Sequence, residues 1–153
     1  MTTVWLALAA VAGAALSPAV AGAAPPRAGF RVALPGRFDV DQGQSGTVSL
    51  TIAPESGYTI SQAGPVRVAL AAEPAGGLEL PRRRYQRGHA ADRMADAPRF
   101  DLAVHGARAG RYRLAVEVRF WLCRGRTCRP IRVARAVAVE VRAVAAPTAP
   151  DQR

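Results

Sequence analysis

The chain contains no lysine and no asparagine, and only 6% of its 153 residues are aromatic. All 21 basic side chains are therefore arginines, set against 11 carboxylates for a formal charge of +10. A GC-rich genome, which uses few codons made mostly of A, produces such a bias, so part of the charge is compositional. Four Phe, three Tyr and two Trp, scattered without stacking periodicity, do not make a single-strand binder. No nucleic-acid motif accompanies the charge, and nucleic acid is not expected as a partner. The clusters Arg82-Arg83-Arg84 with Arg87, and Arg124, Arg126, Arg129 and Arg132, read instead as solvated basic faces that attract acidic partners. There is no phosphate-cradling Gly-rich loop, no helix-borne His pair with its Glu and no nucleophile elbow, so the common enzyme signatures are missing. His89, His105 and Met94 lack a diagnostic ligand spacing, and neither a metal nor a cofactor is expected. Beyond the N-terminus no apolar run is long enough to span a bilayer, which argues against an integral membrane enzyme.

What is present begins with an apolar stretch from Val4 to Leu16, then Ser17-Pro18 and the small residues Ala19 to Ala23. This is the pattern of an export signal over residues 1–23, cleaved after Ala21 or Ala23, with no cysteine following to accept a lipid. The expectation is a periplasmic or secreted protein with one domain over 27–144 and an unstructured tail over 145–153, rich in Ala and Pro. Both cysteines would then reside where disulfides persist.

Twelve prolines, 14 glycines and many Val-rich alternating runs point to strands rather than helices. Phe30, Val32 and Leu34 alternate with polar or small residues, as do Val48, Leu50 and Ile52 after the turn-like Asp41-Gln42-Gly43. Short extended segments follow at 57–60, 66–70 and 78–80, and Phe100, Leu102 and Val104 resume the alternation. Between Pro81 and Pro98 the pattern is lost, which predicts a long loop with a helical turn around 90–95; such loops inside compact domains are often functional.

The strongest periodicity comes last. Tyr112 to Leu122 and Ile131 to Val141 each place an apolar set on every second residue, which predicts a hairpin. If Cys123 faces Cys128 across a four-residue turn, Phe120 meets Ile131, Val118 meets Val133, Leu114 meets Val137 and Tyr112 meets Val139, and both apolar sets share a face. Arg135 is the one misfit, and Arg119 falls opposite Arg132, a like-charge pair best tolerated at a solvated or partner-binding surface. Seven to nine short strands of this kind predict an all-β, immunoglobulin-like antiparallel β-sandwich.

Directly opposed residues in an antiparallel ladder are spaced closely enough for a disulfide. Both cysteines would project away from the Phe120 stripe, beside Trp121 and Pro130. Nearby Arg124, Arg126 and Arg129 would favour a thiolate and so an easily reduced bond. An inert staple in a non-catalytic interaction domain is the competing reading, and the residues alone leave the two open.

Between Ser56 and Val141 the chain resembles the family of N-terminal periplasmic domains of the thiol:disulfide interchange protein DsbD. The resemblance is carried by Ser56-Gly57-Tyr58, Leu78-Glu79-Leu80-Pro81, Ala109-Gly110-Arg111-Tyr112, Trp121-Leu122-Cys123 and Cys128-Arg129-Pro130. It implies an immunoglobulin-like sandwich that passes reducing equivalents from a membrane electron donor to other exported thiol and disulfide proteins. Cys123 and Cys128 would be the redox pair, Tyr85 an aromatic flap shielding the sulfurs, and Tyr58 the counterpart of a family tyrosine. The chain departs from the family in carrying Arg82, Arg83 and Arg84 where its flap is acidic, and in a cysteine spacing one residue shorter. Which cysteine is attacked is not chosen by the sequence.

Overall fold

A computed structural model of the protein describes residues 28–144. The expected export signal over 1–23 and tail over 145–153 lie outside the described residues. The strands are β1 (Phe30–Ala33), β2 (Arg37–Asp41), β3 (Ser45–Pro54), β4 (Thr59–Ile60), β5 (Arg67–Glu73), β6 (Leu78–Glu79), β7 (Arg84–Gln86), β8 (Arg99–Gly106), β9 (Gly110–Arg124) and β10 (Thr127–Arg142). They form two sheets, ordered β1-β3-β8-β6 and β2-β10-β9-β5-β7, with β4 added beside the end of β9.

This connectivity is that of an immunoglobulin-like sandwich, whose first sheet takes strands A, B, E and D and whose second takes C, F and G with an extra edge strand. The first strand is divided: β1 pairs with β3 in one sheet, and after Leu34-Pro35-Gly36 the chain joins the other sheet as β2. There it runs parallel to β10, so the expected antiparallel sandwich holds apart from this one pair. Arg37 makes ion pairs with Asp39 and Glu140, and Arg142 with Asp39, pinning that parallel register from the surface. Near the start of β9, Tyr112 Oη donates to the carbonyl of Arg108 at 3.0 Å, the tyrosine corner typical of the fold. Gly77 packs directly against the Tyr112 ring, leaving no room for a Cβ.

The core lies where the pleats of both sheets face inward. Leu114, Val116, Val118, Phe120 and Leu122 from β9 meet Leu50 and Ile52 from β3 and Phe100, Leu102 and Val104 from β8 within one buried cluster. The β9–β10 register follows the apolar alternation: Phe120 pairs with Ile131, Val118 with Val133, Leu114 with Val137 and Tyr112 with Val139. Arg135, opposite Val116, stays exposed because β2 covers β10 only from Ala138 onward.

The segment expected to be a loop over 81–98 contains β7, hydrogen-bonded to β5 through Tyr85 opposite Val68. A 3-10 turn over Arg87–His89 replaces the helical turn expected at 90–95. Beyond it the segment is tied down by Arg87, which donates to the carbonyls of Ser61 and Ala95.

Candidate functional site

A two-residue loop closes the β9–β10 ribbon. Gly125 occupies its first central position with φ of 56°, as a type II′ hairpin turn requires, and Arg126 completes it. The turn fixes Arg124 opposite Thr127 and therefore Cys123 opposite Cys128. The two sulfurs are bonded, with Cα atoms 4.0 Å apart, a close pairing that suits the narrow, non-hydrogen-bonded position of the ladder.

The two cysteines differ in access. Cys123 lies between two strands, paired with Cys128 on one side and Thr59 of β4 on the other, and is only 8% exposed. Cys128 has no strand on its far side at this level, since β2 begins its pairing ten residues later, and it is exposed. A visiting thiol therefore meets Cys128 first.

Strand parity sorts the surroundings into two faces. On the sulfurs' face lie Trp121, which is 38% exposed, and Pro130 directly opposite it. Trp121 rests on Gly64, where a Cβ would collide with the indole, and its carbonyl accepts the Ser61 N–H at 2.9 Å. Trp121, Pro65 and Pro130 line a shallow groove of about 450 Å³ with Arg67, Arg119 and Arg132.

On the opposite face lie Arg124 and Arg129, which their nearness in sequence predicts beside the sulfurs, and Tyr58, the counterpart of the family tyrosine. Arg124 stacks on the Tyr58 ring at 5.6 Å, and Arg129 donates to the carbonyl of Ala28 at 2.9 Å. Tyr58 in turn packs on Gly29, whose φ of 81° and lack of a Cβ let the N-terminal segment pass beneath the ring. Arg124, Arg129 and Tyr58 therefore tie the first strand to the hairpin tip rather than cradle the disulfide. Arg126, at the turn itself, is exposed.

Tyr85 is the larger correction. It is a core residue, 5% exposed; its Oη accepts the N–H of Ala103 from the facing sheet at 3.1 Å and its ring meets Phe100 edge-on. Its β5 partner Val68 pairs with Val118, five residues along β9 from Cys123, a separation of about 17 Å at strand rise, so it is no flap over the sulfurs. The arginines of the preceding segment stay at the surface, with Arg82 over the Tyr85 ring at 5.7 Å.

The sequence reading missed Thr59, Pro65 and Arg67, which only the pairing of β4 and β5 with β9 brings to this face. It did carry one usable signal, the opposition of Arg119 and Arg132, which the structure places two residues from Trp121 and Pro130. Both guanidinium groups converge on Glu117, whose carboxyl is held below the ordinary glutamate range by hydrogen bonds from Arg132 and then Arg119.

His89 and His105 are engaged locally: Gln86 N–H donates to His89 Nδ1 at 3.0 Å, and His105 Nδ1 lies 3.1 Å from Ser45 Oγ. Among the described residues, no three His, Cys, Asp or Glu side chains gather as a metal set, and no helix is long and apolar enough to cross a membrane.

No family model matches the chain, and no curated protein matches its sequence. The similarities are to solved structures. A conjugative transposon lipoprotein from Bacteroides eggerthii is 13% identical over 71% of this chain and 93% of its own, with a TM-score of 0.37. Murine CRIg is 12% identical over 76% and 98%, at 0.40. The ASH/PapD-like domain 7 of human CEP192 is 9% identical over 88% and 96%, at 0.43.

Proposed function

We propose that this protein is an exported thiol:disulfide exchange module whose working group is the Cys123–Cys128 disulfide. The observation that carries the reading is the asymmetry of the pair: an exposed Cys128 bonded to a nearly buried Cys123 at a hairpin tip. A partner thiolate attacks Cys128 Sγ in line with the S–S bond, a new S–S bond forms to the partner, and Cys123 leaves as a thiolate. A second thiolate of the partner then attacks the partner's own sulfur in that mixed disulfide. Cys128 departs with the bonding electron pair, the partner is left oxidised, and both cysteines of the module take up protons. In the reverse direction Cys128 attacks a partner disulfide and Cys123 resolves the intermediate.

The resemblance to DsbD N-terminal domains and the apolar signal-like sequence at residues 4–16 support the same reading, in which the work is done in an oxidising compartment. The partners are other exported thiol proteins, with a membrane protein as electron donor. The burial of Cys123 favours a second reading, in which the bond only pins the hairpin of an interaction domain.

Acid-quenched reaction with glutathione followed by peptide mapping separates them. Exchange predicts a glutathione adduct on Cys128 and none on Cys123 under native conditions. Adducts that form only in denaturant leave the staple.

A further inference from the structure

The face that carries the sulfurs also carries a band of positive charge that the fold does not need. Arg67, Arg119 and Arg132 stand directly opposite one another on the adjacent strands β5, β9 and β10. Like charges in opposed positions destabilise a sheet. Glu117 answers Arg119 and Arg132, while Arg67 has no carboxylate partner among the described residues. Arg84, at the sheet edge on β7, joins Arg67, Arg119 and Glu117 in lining a second groove of about 400 Å³. That groove shares Arg67 and Arg119 with the one under Trp121, so a single furrow runs from Pro130 to Arg84, with four guanidinium groups to one carboxylate.

Strand geometry orders this face. Along β9 the outward positions are Arg119, Trp121 and Cys123, so the arginine band lies about 13 Å, four residues of extended chain, from the disulfide. The row between them, Trp121 with Pro130 and Pro65, is apolar.

Resting on the exchange reading above, we infer that this furrow docks an extended acidic segment of the thiol partner. The partner's cysteine meets Cys128, an apolar side chain covers Trp121, and carboxylates from about four residues beyond that cysteine reach Arg67 first and, further along the furrow, Arg84. Charge complementarity selects this occupant: a basic or neutral segment leaves Arg67 unanswered, and an acidic one answers it while an aromatic and arginine-rich surface supplies the contact.

The test uses short synthetic peptides with one cysteine and two glutamates, placed either four residues from the cysteine or, at the same net charge, directly beside it. Each rate of opening the Cys123–Cys128 bond is divided by the rate with dithiothreitol. The four-residue peptide is expected to react about tenfold faster than its isomer at low salt, with the gain shrinking at high salt. R67E/R84E abolishes the preference, whereas R108E, at the other end of the sandwich, retains it. Serine-for-cysteine versions, titrated by fluorescence anisotropy, read docking without chemistry. Binding of the four-residue serine peptide that depends on Arg67 and Arg84 supports the inference even if no thiol opens the bond, in which case the exchange reading alone fails. Isomers that react and bind alike overturn the inference and leave exchange standing.

Discussion

Replacing both cysteines by alanine is expected to leave the sandwich folded, as the proposed exchange demands, because the bond closes only a short ring while the buried core lies elsewhere. The magnitude follows from the ring the bond closes. Cys123 and Cys128 are five residues apart, and the chain-entropy relation assigns so short a loop about 2 kcal/mol. Against this stand the apolar stripe of β9 and a β9–β10 ladder that runs on from Cys128–Cys123 to Val141–Gly110, with Leu114, Val118, Val137 and Val139 nearly inaccessible or fully buried inside it. For a domain of this size the loss corresponds to a fall in Tm of about 8 °C. The assay is thermal unfolding by circular dichroism of the oxidised protein, of the protein in dithiothreitol and of C123A/C128A, with the last two melting together. A variant with no cooperative transition at 25 °C, or one melting more than about 20 °C lower, would show that the bond holds the fold and would refute the reasoning.

Tyr85→Phe is expected to cost about 1–2 kcal/mol, since it strands the part-buried N–H of Ala103 that Tyr85 Oη accepts. The same change should leave the rate at which glutathione opens the disulfide as it is, as a core residue's would and a flap's would not; urea titration and stopped-flow kinetics read the two. Gly77→Ala should destabilise more than Gly36→Ala in urea titration, because a Cβ at Gly77 enters the Tyr112 side chain while one at Gly36 meets open space. The lowered carboxyl of Glu117 favours the folded state at neutral pH, and that contribution fades as the pH falls from the ordinary glutamate range through its lower folded value. E117Q should therefore flatten the acid limb of Tm against pH below about pH 5, and an unchanged limb would show that the two arginines do not hold the carboxylate in solution.

The hairpin was legible in the sequence because alternation over two long strands and the parity of the connection admit one register that buries both apolar sets. That register also brought Cys123 and Cys128 together. Three things were not legible. The short strand β7 is flanked by arginines and shows a single buried residue, Tyr85, too little for a period to appear. β2 joins a sheet through a parallel pairing with a strand about a hundred residues away, which no local pattern encodes. The side of the ribbon taken by Arg124 and Arg129 is the third: each adjoins a cysteine in sequence, yet successive side chains on a strand point to opposite faces, and Tyr58 reaches the same side only because the neighbouring β4 pairs with β9. Trp121 and Pro130, an even number of residues from their cysteines, were placed correctly by the same rule.

The central claim is that the hairpin bond is made to be opened, and its reduction potential tests this most directly. Equilibration of the folded protein in glutathione buffers, with free thiols alkylated and counted by mass, should give a midpoint above about −250 mV, within reach of exported thiol proteins. A bond still closed below about −300 mV, in the range of structural disulfides, would contradict the account.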